Sequence, residues 1–228
     1  MSHALIVDRP PTAFYTWQNY RCAYEVWSPD AGTGIPLLLI HPIGVGLSRR
    51  FWDRFIQAWR SAGQTQTIYN VDLLGCGESD MPPVACRPED WAAQLLGFLQ
   101  TVVQQPVMVI AQGALSPVAI ELCQQADSAL IRAVVLSGPP AWAVMSKPAT
   151  AWQQNLSWNL FNSLLGLGFY QYAKRRQFIQ RFSARQLFDR PEQVDAEWLD
   201  RLSGDAQNQA SRHAVFSFLA GFWANCAG

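Results

Sequence analysis

Two hydrophobic rhythms divide the chain. In the first, short continuous apolar runs recur: Ile35 to Ile40 (IPLLLI), Thr67 to Leu74 (TIYNVDLL), Pro106 to Ala111 (PVMVIA) and Ile131 to Ser137 (IRAVVLS). Runs of this length predict strands covered on both faces. Tyr20 to Ser28 alternates and is rich in aromatics and valine, which also predicts a strand. Between the runs the spacing turns helical. Phe51, Phe55, Ile56 and Trp59 share one helical face, as do Ala92, Leu95, Leu96, Leu99, Val102 and Val103. Pro88, Glu89 and Asp90 suit the first turn of the second helix. Val118 to Gln125 is a third, shorter helix. Strands alternating with helices predict parallel βαβ units in a three-layer α/β fold with a mostly parallel sheet.

Beyond Pro139-Pro140 the second rhythm holds. No strand run follows, and residues 150 to 223 read as helices. Residues 151 to 188 carry Lys174, Arg175, Arg176, Arg181 and Arg185 and no acid, whereas 189 to 205 are mostly acidic. Val215, Phe218, Leu219 and Phe222 define a last amphipathic helix. The chain therefore divides into a core over 1–145 and a helical lid over 146–228. Such a lid would cover the C-terminal edge of the sheet, where ligands bind in open α/β folds. Trp152, Trp158, Phe161, Leu164, Leu165, Phe169, Tyr170 and Tyr172 crowd its first part, and Gly166 and Gly168 are expected to break the helix there. This stretch reads first as a hydrophobic lid over an apolar pocket. Peripheral membrane contact is its other use.

Composition narrows the function. The 228 residues are 50% hydrophobic and 15% charged, enough for a substantial core. Seventeen basic residues balance seventeen acidic ones, and this zero net charge argues against a nucleic-acid partner. It also gives little protection against self-association. Met1 to Pro11 contains Asp8 and Arg9 and lacks the apolar stretch of a signal peptide, and no apolar run is long enough for a transmembrane helix. Cys22, Cys76, Cys86, Cys123 and Cys226 are odd in number and without CxxC spacing, which predicts reduced thiols and a cytoplasmic location. Three dispersed histidines (His3, His41, His213) predict no metal site.

Three segments in order carry a resemblance: Leu37 to Trp52 (LLLIHPIGVGLSRRFW), Val71 to Pro82 (VDLLGCGESDMP) and Val107 to Leu122 (VMVIAQGALSPVAIEL). Together they resemble the α/β-hydrolase superfamily, from about residue 20 to 140, and the chain is similar to divergent members from photosynthetic organisms. The resemblance implies an α/β-hydrolase sheet with a helical lid. It also implies an oxyanion loop at His41-Pro42-Ile43-Gly44, with Ile43 offering one backbone N–H and Pro42 standing where glycine is usual. The second donor would be the N–H of Ala114. The family's G-x-S-x-G nucleophile elbow reads here Ala111-Gln112-Gly113-Ala114-Leu115, so Gly113 occupies the nucleophile position.

That glycine decides the expected chemistry. Without a side chain no acyl-enzyme forms, yet glycine tolerates a strained elbow better than serine. Leu115 replaces a small residue. Ser116, followed by Pro117, reads as a helix N-cap with proline in the first turn. Cys76, in Gly75-Cys76-Gly77, has no histidine placed to make it a thiolate. Ser79 and Asp80 read as turn residues. Gly44-x-Gly46 and Gly75-x-Gly77 lack the third glycine of a dinucleotide fingerprint, so no such cofactor is expected. His41 reads as a hydrogen-bonded structural residue. His213 reads as a solvated or lid-packing one. No strand run after Ser137 carries the acid and histidine of a triad, which predicts a sheet lacking its last strands and a bare edge at 131–137.

The expected function is thus an α/β-hydrolase-like protein without serine-hydrolase activity, binding an apolar small molecule or a protein partner under the lid. The expected pocket comprises His41, Pro42, Ile43, Gln112, Gly113, Ala114 and Trp142, with no metal and no cofactor. The alternatives are an active hydrolase (esterase, lipase or epoxide-hydrolase-like), a lyase with a non-standard site, or an incomplete product. Gly113→Ser separates the first from the rest.

Overall fold

A computed structural model describes residues 9–29, 32–141 and 149–222. Trp142 lies outside the described residues. Six strands form one sheet: β1 (Ala13–Trp17), β2 (Tyr20–Trp27), β3 (Leu37–Ile40), β4 (Ile68–Val71), β5 (Val107–Gln112) and β6 (Ile131–Ser137). Their order is β1-β2-β4-β3-β5-β6, parallel from β4 to β6 and antiparallel at the β1 and β2 end. The expected strands are present, and β1 is additional. It folds back on β2 through Gln18 and Asn19, both at positive φ, the geometry of a tight two-residue hairpin.

The central strands are buried on both faces because each feeds two layers. Leu38 and Ile40 of β3 face one apolar cluster, together with Val71, Val109 and Ala111. Leu37 and Leu39 face the other, together with Ile68 and Ile110. Helix α1 (Asp53–Ser61), entered through a single 3-10 turn at Arg49–Trp52, closes the second cluster with Trp52 and Ile56. Helices α2 (Pro88–Phe98) and α3 (Ser116–Gln125) close the first with Trp91, Leu95, Val118 and Leu122. The expected apolar face of the second helix runs on beyond Phe98. Its last five residues, Leu99–Val103, wind as a wider π-turn that ends at Gln104 in the left-handed region. Among the described residues strand β6 is the edge, paired to β5 alone, and its Val134 and Val135 are exposed.

After β6 the described chain is helical: α4 (Ala151–Phe161), α5 (Leu164–Ala173), α6 (Arg176–Gln186), α7 (Ala196–Asp205) and α8 (Arg212–Leu219). This layer is anchored on the core side by Leu47, which packs with Ile179, Trp198, Leu199 and Leu202. The expected break at Gly166 and Gly168 is not where the helix breaks. The chain turns at Asn162 and Ser163, Ser163 caps α5, and α5 runs through both glycines. Gly166 serves close approach instead, since a Cβ there would overlap the Phe161 carbonyl. Among the described residues no helix is long and apolar enough to cross a membrane.

Candidate functional site

The site lies where β3 and β5 end. Strand β5 leaves Gln112 in an extended conformation, and the next residue, Gly113, takes φ +62° before a short 3-10 turn leads into α3. The strand-turn-helix elbow is therefore formed. L-residues with a side chain pay about 1–3 kcal/mol for this backbone region, and glycine does not. The space beside Gly113 is open: a Cβ built there meets no atom within 4 Å. The expected nucleophile position thus has an elbow backbone and room for a side chain, but no side chain.

Neighbouring groups do not replace it. Ser116 is fully buried in the first turn of α3. It does not cap the helix by accepting an N–H, as its sequence context suggests. Its hydroxyl donates to the Gly113 carbonyl at 2.7 Å, which commits its proton. Pro117 stands in the first turn as expected. Leu115 is buried in the main apolar cluster. Cys76 is buried in its glycine loop, and that burial pushes its thiol well above the ordinary range, so it is held as a neutral thiol. Cys22, Cys76, Cys86 and Cys123 are all free.

His41 follows β3 and is completely buried. Its Nδ1 lies 2.8 Å from the carbonyl of Pro42, and the N–H of Leu73 donates to its Nε2 at 3.2 Å. A carbonyl only accepts, so Nδ1 carries the proton and Nε2 is the acceptor. Both ring nitrogens are committed, and burial, aided by the nearby Arg49 charge, pushes the pKa below the usual histidine range in spite of Asp72. This imidazole ties the oxyanion loop to the Asp72–Leu74 segment and has no lone pair left for base catalysis. Gln94 braces the same segment, accepting from the Leu74 N–H at 2.8 Å. The other described histidine, His213, is buried on α8 with its Nδ1 unpartnered and its ring 6.1 Å from that of Trp158. Burial and the adjacent Arg212 push its pKa down. It is not solvated.

The two residues expected to supply oxyanion-hole donors, Ile43 and Ala114, lie on the loop after β3 and in the elbow turn. Among the described residues the Ile43 N–H makes no backbone hydrogen bond, and Ala114 is the middle residue of the 3-10 turn at the elbow. Ile43 also opens onto an apolar cavity of about 120 Å³. The loop contributes Ile43, Gly44 and Val45, α5 contributes Phe169 and Ala173, α6 contributes Phe178, Ile179 and Phe182, and α8 contributes Val215, Phe218 and Leu219. Of the expected pocket residues that are described, only Ile43 lines this cavity. His41 and Pro42 lie buried behind it. Gln112 lines a separate cleft with Trp52, Phe55, Ser137 and Phe188. Among the described residues no cluster of three or more histidine, cysteine or acidic side chains could hold a metal ion.

Sequence reasoning missed the polar core that supports the loop. Arg49 is buried with its guanidinium between the carboxylates of Glu25, Asp72 and Glu78. Asp72 also accepts from the N–H groups of Arg49, at 2.7 Å, and Glu78, at 2.8 Å. Arg9 adds a two-pronged bond to Glu25 and a third to Asp53, which Arg201 of α7 also reaches at 2.8 Å. The only sequence signal was an arginine in an apolar run, since its partners lie far along the chain.

The fold has solved counterparts. Cfl2 from Burkholderia cenocepacia superposes with a TM-score of 0.71 at 18% identity, over 92% of this chain and 70% of that one. The epoxide hydrolase CorEH gives 0.66 at 16% identity, over 92% and 73%. A bromoperoxidase from Bacillus anthracis gives 0.65 at 18% identity, over 92% and 74%. No curated protein sequence matches this chain. The model of the alpha/beta hydrolase family matches residues 37–225, most of the chain, and the protein belongs to that family.

Proposed function

We propose that this family member binds an apolar small molecule between its oxyanion loop and its helical lid, and that it does not form an acyl-enzyme. One observation carries the reading. Gly113 holds the backbone conformation of the nucleophile elbow, with open space beside it, and supplies no nucleophile. The locked His41 supports it, because an imidazole with both nitrogens committed cannot activate another hydroxyl or a water. The Ile43 and Ala114 N–H groups would then orient a carbonyl or carboxyl group by hydrogen bonding without attack upon it.

The cavity sets the class of ligand. At about 120 Å³ it is close to the engineered apolar cavity of about 150 Å³ that stays dry and takes up benzene. A short acyl segment or a single ring fills it. Each methylene buried there contributes about 0.8 kcal/mol, so six give about 5 kcal/mol before ordering costs. The test is mass spectrometry of organic extracts from the purified protein, beside the same extracts of Val215→Phe, which fills the cavity from α8. An apolar compound present in the first and depleted in the second supports the reading. Equal recovery from both, or no compound and no uptake of added short-chain fatty acid, contradicts it.

A further inference from the structure

The first half of the helical lid does two different things. Phe169 and Ala173 look inward onto the cavity. Trp152, Leu156 and Leu160, spaced by four, form a stripe on the outer face of α4 and are 70%, 54% and 52% exposed. Leu164 and Leu165 follow at the α4–α5 corner, 87% and 74% exposed. Tyr172, two turns on along α5, continues the same outer face opposite buried Gly166, Tyr170 and Ala173. A soluble surface gains nothing from five large apolar side chains so arranged, and a contiguous patch of this kind marks a contact.

The charge around the patch identifies the contact. Residues 151 to 188 contain no acid. Of the five basic residues there, Arg176 is bridged to Asp200. Lys174, Arg175, Arg181 and Arg185 have no carboxylate partner among the described residues. The Arg175 guanidinium lies over the Tyr172 ring, 5.5 Å from its centre, which puts a cation on the rim of the apolar face. The acids of neighbouring α7 are committed elsewhere: Glu197 to Arg201, Asp205 to the Ser48 hydroxyl. Projecting leucines and a tryptophan beside uncompensated cations complement a soft apolar medium beneath a layer of negative charge.

We infer that the outer face of α4 and α5 docks on an anionic lipid bilayer. Leu160, Leu164 and Leu165 enter the acyl boundary, and the basic residues of the α5–α6 turn and of α6 meet the headgroups. This surface stands whether or not the cavity beneath it holds a ligand. Docking would set the cavity's roof against the bilayer.

Sedimentation of the full chain with vesicles tests it. The expected result is binding to vesicles of equal parts phosphatidylserine and phosphatidylcholine, weak binding to phosphatidylcholine alone, and loss at high salt. Leu164→Glu/Leu165→Glu and Arg175→Gln/Arg181→Gln/Arg185→Gln each reduce partitioning at least tenfold, with melting temperature and circular dichroism unchanged, since all five side chains are exposed. Wild-type protein that stays in the supernatant with anionic vesicles overturns the proposal. So does binding that the two variants leave intact. A dimer that Leu164→Glu/Leu165→Glu converts to monomer, without vesicle binding by the wild type, assigns the patch to a second copy instead.

Discussion

The Ser116 hydroxyl donates to the Gly113 carbonyl across the turn between β5 and α3, at 2.7 Å. This serine is thus spent on holding the turn whose expected nucleophile position is a glycine. Removing it leaves the elbow's carbonyl without that donor in a buried setting. Ser116→Ala is expected to destabilise the protein by about 1 kcal/mol, the usual cost of a lost internal hydrogen bond, read as a shift in the urea midpoint.

Gly113→Ser is expected to fold. Its Cβ meets no neighbour, so the cost is the left-handed backbone alone, about 1–2 kcal/mol. The His41 imidazole, with both ring nitrogens committed, cannot activate the new hydroxyl. Hydrolysis of a p-nitrophenyl ester is therefore expected to stay at the wild-type level. A large rise in turnover would show that a base is present after all.

Gly77→Ala is expected to behave very differently. Gly77 also has positive φ, but a Cβ there would overlap the Asp72 carboxylate that receives Arg49. A loss of about 3 kcal/mol or more is expected, against about 1 for Gly113→Ala. Denaturation of the two variants side by side separates strain with space from strain without it.

Arg49→Ala strips the countercharge from the fully buried Asp72 and leaves Glu25, also fully buried, with Arg9 alone. Removing one partner of a buried ionic cluster costs about 3–5 kcal/mol, because the Asp72 carboxylate left behind is uncompensated. Chemical denaturation is expected to show that loss, and a change within error would contradict the role given to this cluster.

Acid should weaken the fold through His41. Its folded-state pKa lies below the ordinary 6.5, so the unfolded chain takes up the proton first. The neutral ring's contribution is whole above about pH 6.5 and declines as pH falls below it, by at most about 1.4 kcal/mol per unit for one proton. His213 acts with the same sign. Asp53 and Asp205, both raised by burial, act oppositely at lower pH, since the folded chain holds their protons more tightly. Melting temperature is expected to drop between pH 7 and 5.5, and His41→Gln, though less stable throughout, should show a flatter slope.

The core strands were legible because β3, β4 and β5 are buried on both faces, and such burial writes continuous apolar runs. β1 was not, since AFYTW follows two prolines and is short, and only the paired positive φ at Gln18 and Asn19 reveals the hairpin. Gly166 misled because composition does not distinguish a glycine that ends a helix from one that lets two helices touch. The elbow could be read residue by residue, since its function is tied to a local turn. The cavity could not. Ile43, Phe169, Phe182 and Val215 come from four separate segments, and their meeting is a tertiary fact. The same holds for Arg49 with Glu25 and Asp72.

Gly113 at the elbow and the committed His41 together predict that this protein carries no activated serine. Labelling the purified chain with a fluorophosphonate probe, followed by peptide mapping, tests it most directly. No modified serine is expected under conditions that fully label a control serine hydrolase. A stoichiometric adduct on Ser116, or on any other serine, would contradict it and make the protein a hydrolase with a displaced nucleophile.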